Sequence, residues 1–204
     1  MTILPRFSSK YLTKTSLTQK TFRILIIRPG ETAFDKGRHL HGSLALPLTK
    51  TGKKEAVQLA QELNVENIAQ LYSSPSLSAR ETSEKIAKQL GIPQKVLKGL
   101  QNQNQGLWEG MRVEQIRRNH PRIYRQMLED PCTVMPPNGE HFRNAFERLQ
   151  TALQWILDRH RTGTVGLILN EPAASMATSW LKCEKIKNLW NSIGSHGYWE
   201  SIEL

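Results

Sequence analysis

The chain has 204 residues, a formal net charge of +10 from 28 Lys+Arg against 18 Asp+Glu, and 38% hydrophobic residues. That length carries a single domain with a sizeable core, and the composition excludes a disordered chain. Two cysteines, Cys132 and Cys183, with no CxxC pair exclude a disulfide framework and a cysteine-based zinc ribbon, and no apolar run reaches the roughly 18–20 residues that span a bilayer.

The charge has a location. Residues 1–23 carry five basic side chains and no acid, and residues 112–125 carry five Arg against Glu114, so the rest of the chain nets only +1. Residues 1–21 read as a flexible basic arm, and residues 22–204 as the folded domain. A basic, Ser-rich, acid-poor arm also matches the make-up of an organelle-targeting segment, the alternative to a cytoplasmic location. No signal-peptide apolar stretch is present.

Phe22 to Ile27 (FRILII) predicts a buried strand that ends in Arg28-Pro29-Gly30. Thr49 opens a helix with Ala56, Leu59, Ala60 and Leu63 at helical spacing. Ile68 to Tyr72 predicts a second strand, broken by Ser73-Ser74-Pro75, and a helix follows from Leu77 to Leu90. Val96 to Leu100 predicts a short edge strand. Val113 to Leu128 predicts a helix interrupted at Pro121. Glu140 to Arg159 predicts a long amphipathic helix, Thr164 to Leu169 a buried strand, Ala173 to Leu181 a helix, and Tyr198 to Leu204 a closing strand. Apolar strands alternating with amphipathic helices predict an α/β three-layer sandwich, a mostly parallel sheet with helices on both faces. The five tryptophans form no stacking array along the sequence and are mostly expected in core or interface positions.

In such a sheet, ligands sit beyond the carboxyl ends of the strands. Four segments arrive there: Arg28 to Thr32, Ser73-Ser74-Pro75, the loop from Asn102 to Gly110, and Leu169-Asn170-Glu171. Five short stretches stand out in order: Arg28-x-Gly30-Glu31-Thr32, Pro47-Leu48-Thr49-x-x-Gly52, Ser73-Ser74-Pro75 with Glu81-Thr82, Gly106-x-Trp108-Glu109-Gly110, and Pro137-x-Gly139-Glu140. In this order and spacing the chain resembles the histidine phosphatase superfamily, also called phosphoglycerate mutase-like, over roughly residues 22–204.

The resemblance implies a specific chemistry. A histidine in an Arg-His-Gly motif attacks the phosphoryl group through a free imidazole lone pair. Two arginines and a second histidine neutralise the equatorial oxygens, and a carboxylic acid protonates the leaving oxygen. Carried onto this chain, Arg28 matches the first arginine, and Pro29 stands in place of the nucleophilic histidine. Ser78 stands in place of the second arginine, Asn102 in place of the glutamate, and Asn170 in place of the second histidine. Arg80 lies two residues after Ser78, about 200° round a helix from the required face. Glu171 replaces a glycine and adds a negative charge. Asp35 and His39 replace a neighbouring Asn and Arg.

The resemblance therefore implies a catalytically inactive pseudophosphatase with a binding or regulatory role. The alternative is a divergent phosphomonoesterase or mutase-like enzyme acting on a small phosphorylated substrate with a repositioned nucleophile, for which His39, His41 and His196 are the candidates. Arg28, Gly30 and Thr32 are the residual anion donors, expected to hold phosphate weakly. No cofactor or metal is expected. Arg117, Arg118, Arg122 and Arg125 offer a cationic face to an acidic partner. No helix-turn-helix, zinc-finger or RNP pattern points to specific nucleic-acid readout. A homodimer is left open by the sequence.

Overall fold

The computed structural model describes residues 21–186, 189 and 192–204. The predicted arm, residues 1–21, lies outside the described residues but for Thr21.

Five strands form one sheet: β1 (Phe22–Ile27), β2 (Ile68–Ser73), β3 (Gln94–Val96), β4 (Gly163–Ile168) and β5 (Trp199–Glu203), in the spatial order β3-β2-β4-β1-β5. β1, β4, β2 and β3 run parallel, and β5 pairs antiparallel with β1. Successive side chains of a strand point to opposite faces. Ile24 and Ile26 accordingly enter one core, and Leu25 and Ile27 enter the other.

The first core is covered by α5 (Phe142–Arg159) and α6 (Ala173–Leu181), whose Leu149, Leu153, Ile156 and Ala177 meet the sheet. The second is covered by α1 (Lys50–Glu62) and α2 (Leu77–Leu90), through Leu59, Ala60, Ala79 and Ile86. The result is the expected three-layer α/β sandwich. α3 (Val113–Asn119) and α4 (Pro121–Glu129) lie in the connection between β3 and α5 and send Val113, Ile116 and Met127 into the first core. Proline is tolerated in a first helical turn, so Pro121 ends one helix and starts the next.

Two boundaries differ from the sequence expectation by two residues or more. The edge strand is Gln94–Val96, not Val96–Leu100, and Lys98–Leu100 is a single 3₁₀ turn. The reason is packing: a Cβ on Gly99 would stand 2.7 Å from the Ala152 Cβ, so the chain dips under α5 here instead of extending along β2. The long helix begins at Phe142, not Glu140. Glu140 accepts from Arg148 at 2.9 Å, and the His141 side chain accepts from the Arg143 N–H.

Candidate functional site

The carboxyl ends of β1, β2 and β4 are adjacent, so the loops that follow them meet. The loop after β1 is fixed largely by backbone. Arg28 N–H donates to the Tyr198 carbonyl and Gly197 N–H to the Pro29 carbonyl, both at 2.8 Å. Gly30 presses on the first turn of α1, where a Cβ would stand 2.2 Å from the Gly52 carbonyl oxygen. Glu31 N–H donates to Glu55 at 2.7 Å, and the Thr49 hydroxyl donates to Glu31 at 2.6 Å while capping α1 by accepting from Gly52 N–H.

Arg28 is 4% exposed. Its Nε donates to Glu171 Oε1 at 2.9 Å, one terminal nitrogen lies 2.9 Å from the same oxygen, and the other donates to Glu200 at 3.1 Å. The guanidinium carbon lies 5.1 Å from the Tyr198 ring centroid. Glu171 Oε2 accepts from the Ser175 N–H and hydroxyl in the first turn of α6. Burial alone would lower the Arg28 pKa, but the negative charges of Glu171 and Glu200 outweigh it and raise it. Burial pushes the Glu200 carboxyl up, and Arg28 and Thr178 more than reverse this, holding it below the usual range.

The other positions singled out by sequence converge here and are bonded to one another. Pro29 is buried with no backbone N–H to offer. The Asn170 amide donates to Ser78 at 3.0 Å and its oxygen accepts from the Ser76 hydroxyl at 2.5 Å. Asn102 donates to the Gly42 and Glu171 carbonyls at 3.1 and 2.9 Å and accepts from Ala173 N–H at 3.2 Å. A primary amide both donates and accepts, so one side chain ties three loops; an ionised carboxylate has no proton to donate to those carbonyls. Arg80 is exposed, turned away from the site.

Of the residual anion donors, Gly30 N–H donates to the Thr82 hydroxyl at 3.2 Å. Thr32 gives both its N–H, at 2.6 Å, and its hydroxyl, at 2.8 Å, to Asp35. Asp35 is also paired with His41 at 3.0 Å. Burial would raise the Asp35 carboxyl, yet the His41 and Thr32 bonds hold it below the usual range. His39 places its two ring nitrogens 3.2 Å from the Phe34 carbonyl and 3.3 Å from the donating Nε of Arg112. His196 pairs with Glu55 at 3.0 Å. What space remains among Pro29, Asp35, His41, Asn170 and Glu171 is about 10 Å³, on the order of a single water. No group of three or more His, Cys, Asp or Glu able to hold a metal occurs among the described residues.

Sequence reasoning found Glu171 but missed Glu200 and Tyr198, because the register of the closing strand against β1 is not written in local pattern. It also missed Ser76, whose hydroxyl donates to Asn170, while Thr82 of the Glu81-Thr82 stretch accepts from Gly30 N–H. The four arginines of the predicted cationic face lie apart from this site, on α3 and α4. All are exposed, with Arg117 and Arg118 both reaching Glu114.

No helix among the described residues is long and apolar enough to cross a membrane. A family model described as "Histidine phosphatase superfamily (branch 1)" matches residues 24–203. Phosphoserine phosphatase 1 of Hydrogenobacter thermophilus is 28% identical over 146 residues, covering 72% of this chain and 69% of that protein. Phosphoglycerate mutase-like protein 4 of Arabidopsis thaliana is 28% identical over 173 residues, covering 81% and 75%. Among solved structures, Bacillus stearothermophilus YhfR superposes with a TM-score of 0.75 at 28% identity, covering 90% of this chain and 91% of that one. A mycobacterial glucosyl-3-phosphoglycerate phosphatase superposes with a TM-score of 0.76 at 21% identity, covering 90% of each chain, a likeness of fold alone.

Proposed function

The chain belongs to the histidine phosphatase superfamily, and from that premise we propose that it is a pseudophosphatase, with the fold kept, the phosphohistidine chemistry lost and a binding or regulatory role in its place. One observation carries the reading. The buried Arg28, the arginine that matches the family site, is paired with the chain's own carboxylates, Glu171 and Glu200, through all three guanidinium nitrogens. A phosphate entering here would set its oxygens against Glu171, where like charges repel. It would also find room for about one water.

The reactive groups argue the same way. Proline at position 29 has no lone-pair nitrogen to attack phosphorus. The Asn102 amide has no acidic proton for a leaving oxygen. Losing one member of a catalytic unit costs several powers of ten in rate, and here four positions differ together. Arg28, Gly30 and Thr32 are then remnants of an anion site whose donors have been turned to structural use.

The test has two arms. The purified protein is assayed with para-nitrophenyl phosphate and small phosphomonoesters; turnover at background rate is expected, and robust turnover overturns the reading. The variant Pro29→His/Ser78→Arg/Asn102→Glu/Asn170→His/Glu171→Gly is then treated with a phosphoryl donor. Acid-labile phosphohistidine in that variant alone supports a scaffold that has lost only its chemistry.

The rival reading, a phosphomonoesterase with a repositioned nucleophile, has one observation in its favour. His41 lines the small cavity beside Pro29 and is oriented by Asp35. Turnover abolished by His41→Ala would establish it.

A further inference from the structure

The far edge of the sheet carries a second constellation, unrelated to the site above. β3 is the edge strand, and all three of its residues are exposed. Its ladder with β2 uses the Pro93 carbonyl, which accepts from Leu71 N–H, and Leu97 N–H, which donates to the Ser73 carbonyl. With Tyr72 opposite Lys95, alternation turns the peptide groups of Gln94 and Val96 outward, unpaired by the sheet. Such an edge is a template for an added strand.

Beside this edge stands an aromatic ridge. Trp155 of α5 is 39% exposed, on the face of the edge that carries Lys95 and Tyr72; Val96, on the opposite face, is 44% exposed. The indole packs edge-on against Tyr72, with ring centroids 6.0 Å apart, and separates two surface grooves of about 390 and 560 Å³. An exposed tryptophan between shallow surface depressions has the composition of an interface anchor.

The rim is cationic. Lys95 Nζ lies 4.9 Å and the Arg159 guanidinium 5.4 Å from the Trp155 ring centroid. Among the described residues, Lys95, Lys98 and Arg159 have no carboxylate within ion-pair distance, whereas Arg148 is matched by Glu140. Asp158 is the one carboxylate lining either groove among the described residues, and it is shared with Arg161 at 3.9 Å.

We propose that the β3 edge and the Trp155 ridge form a docking surface for an extended, acidic segment of another protein, added as a strand beside Gln94–Val96 with an apolar side chain over Trp155. Charge decides among the candidate occupants. A second copy would bring Lys95, Lys98 and Arg159 against their own equivalents, and residues 1–20 of the chain carry four basic side chains and no acid. An acidic partner alone pairs all three cations.

The test uses a random peptide library displayed on phage, selected on the full chain, with the tightest peptide then synthesised and titrated. Enriched peptides should combine several Asp or Glu with aromatic or β-branched residues. Their affinity should fall at least tenfold in Trp155→Ala and in Lys95→Glu/Lys98→Glu, and at raised salt. Val96→Pro should weaken binding similarly, because it removes an outward N–H that β2 does not use. Circular dichroism and thermal midpoint of each variant report that it is folded. Peptides without acids, no enrichment, or equal affinity for folded variants would overturn the proposal. So would a concentration-dependent dimer abolished by Trp155→Ala, which would give the surface to a second copy.

Discussion

Removing the Glu171 carboxylate should unbalance the most deeply buried charge pair of the site. Arg28 and Glu171 side chains are each 4% exposed and their charged atoms are 2.9 Å apart. Coulomb attraction at that distance and an effective dielectric of about 20 is roughly 6 kcal/mol, opposed by the desolvation of both ions. Taking one partner away keeps the desolvation of the other and loses the attraction, at a cost of about 3–5 kcal/mol. Glu200 remains on Arg28, but it is 31% exposed and screened, so the lower end of that range is expected for Glu171→Leu. At roughly 2–4 °C per kcal/mol for a domain of this size, the thermal midpoint should drop by about 6–12 °C. Arg28→Met should cost a similar amount, while the double variant Arg28→Met/Glu171→Leu should recover much of the loss. The assay is a double-mutant cycle by urea denaturation, with a coupling of about 2–3 kcal/mol expected. Additive single-variant losses would refute the view that Glu171 holds Arg28 as an internal counter-ion. Added millimolar phosphate should raise the midpoint of Glu171→Leu and leave the parent protein unmoved.

Acid should weaken the same cluster in a defined window. The Glu200 carboxyl titrates below its unfolded value of about 4.3, so between the two values the unfolded chain binds more protons and stability rises with pH. The contribution is complete above that unfolded value and is lost as pH falls through the folded one. Urea midpoints from pH 6 to 3 should therefore fall more steeply for the parent than for Glu200→Gln; parallel curves would count against it. A methyl group at Gly52 would lie 2.2 Å from the Glu31 carbonyl oxygen and 2.7 Å from its nitrogen. Both obstacles are backbone, so Gly52→Ala should cost about 3 kcal/mol, and an unchanged thermal midpoint would show that the loop after β1 yields.

The sequence carried the strand and helix plan well where patterning is strong. FRILII is apolar at every position but one because β1 lies inside the sheet with a core on each side. α5 declared itself by its long apolar stripe. β3 was harder: three exposed residues, Gln94, Lys95 and Val96, have no buried face to pattern, and only pairing with β2 defines them. The residue types at Pro29, Ser78, Asn102 and Asn170 were legible, and so was the negative charge at Glu171. Their new partners were not. Glu200 meets Arg28 across 172 positions of sequence, and Asn102 joins the carbonyls of Gly42 and Glu171, contacts that only the assembled sheet brings together.

The clasp around the first loop has a consequence for how such a protein can arise. The path of residues 28–31 is held by Gly30 against Gly52, by Gly197 and Tyr198 through main-chain bonds, and by the Glu31–Glu55 bond. The side chains of Glu55, Thr82 and Thr49 add bonds to Glu31 and Gly30, and none of these contacts depends on the side chain of residue 29. The loop keeps its shape whether or not a ligand ever visits it. On the pseudophosphatase reading, the residue at position 29 could therefore change without unfolding the loop. In this loop, shape rests on atoms other than the side chain of residue 29.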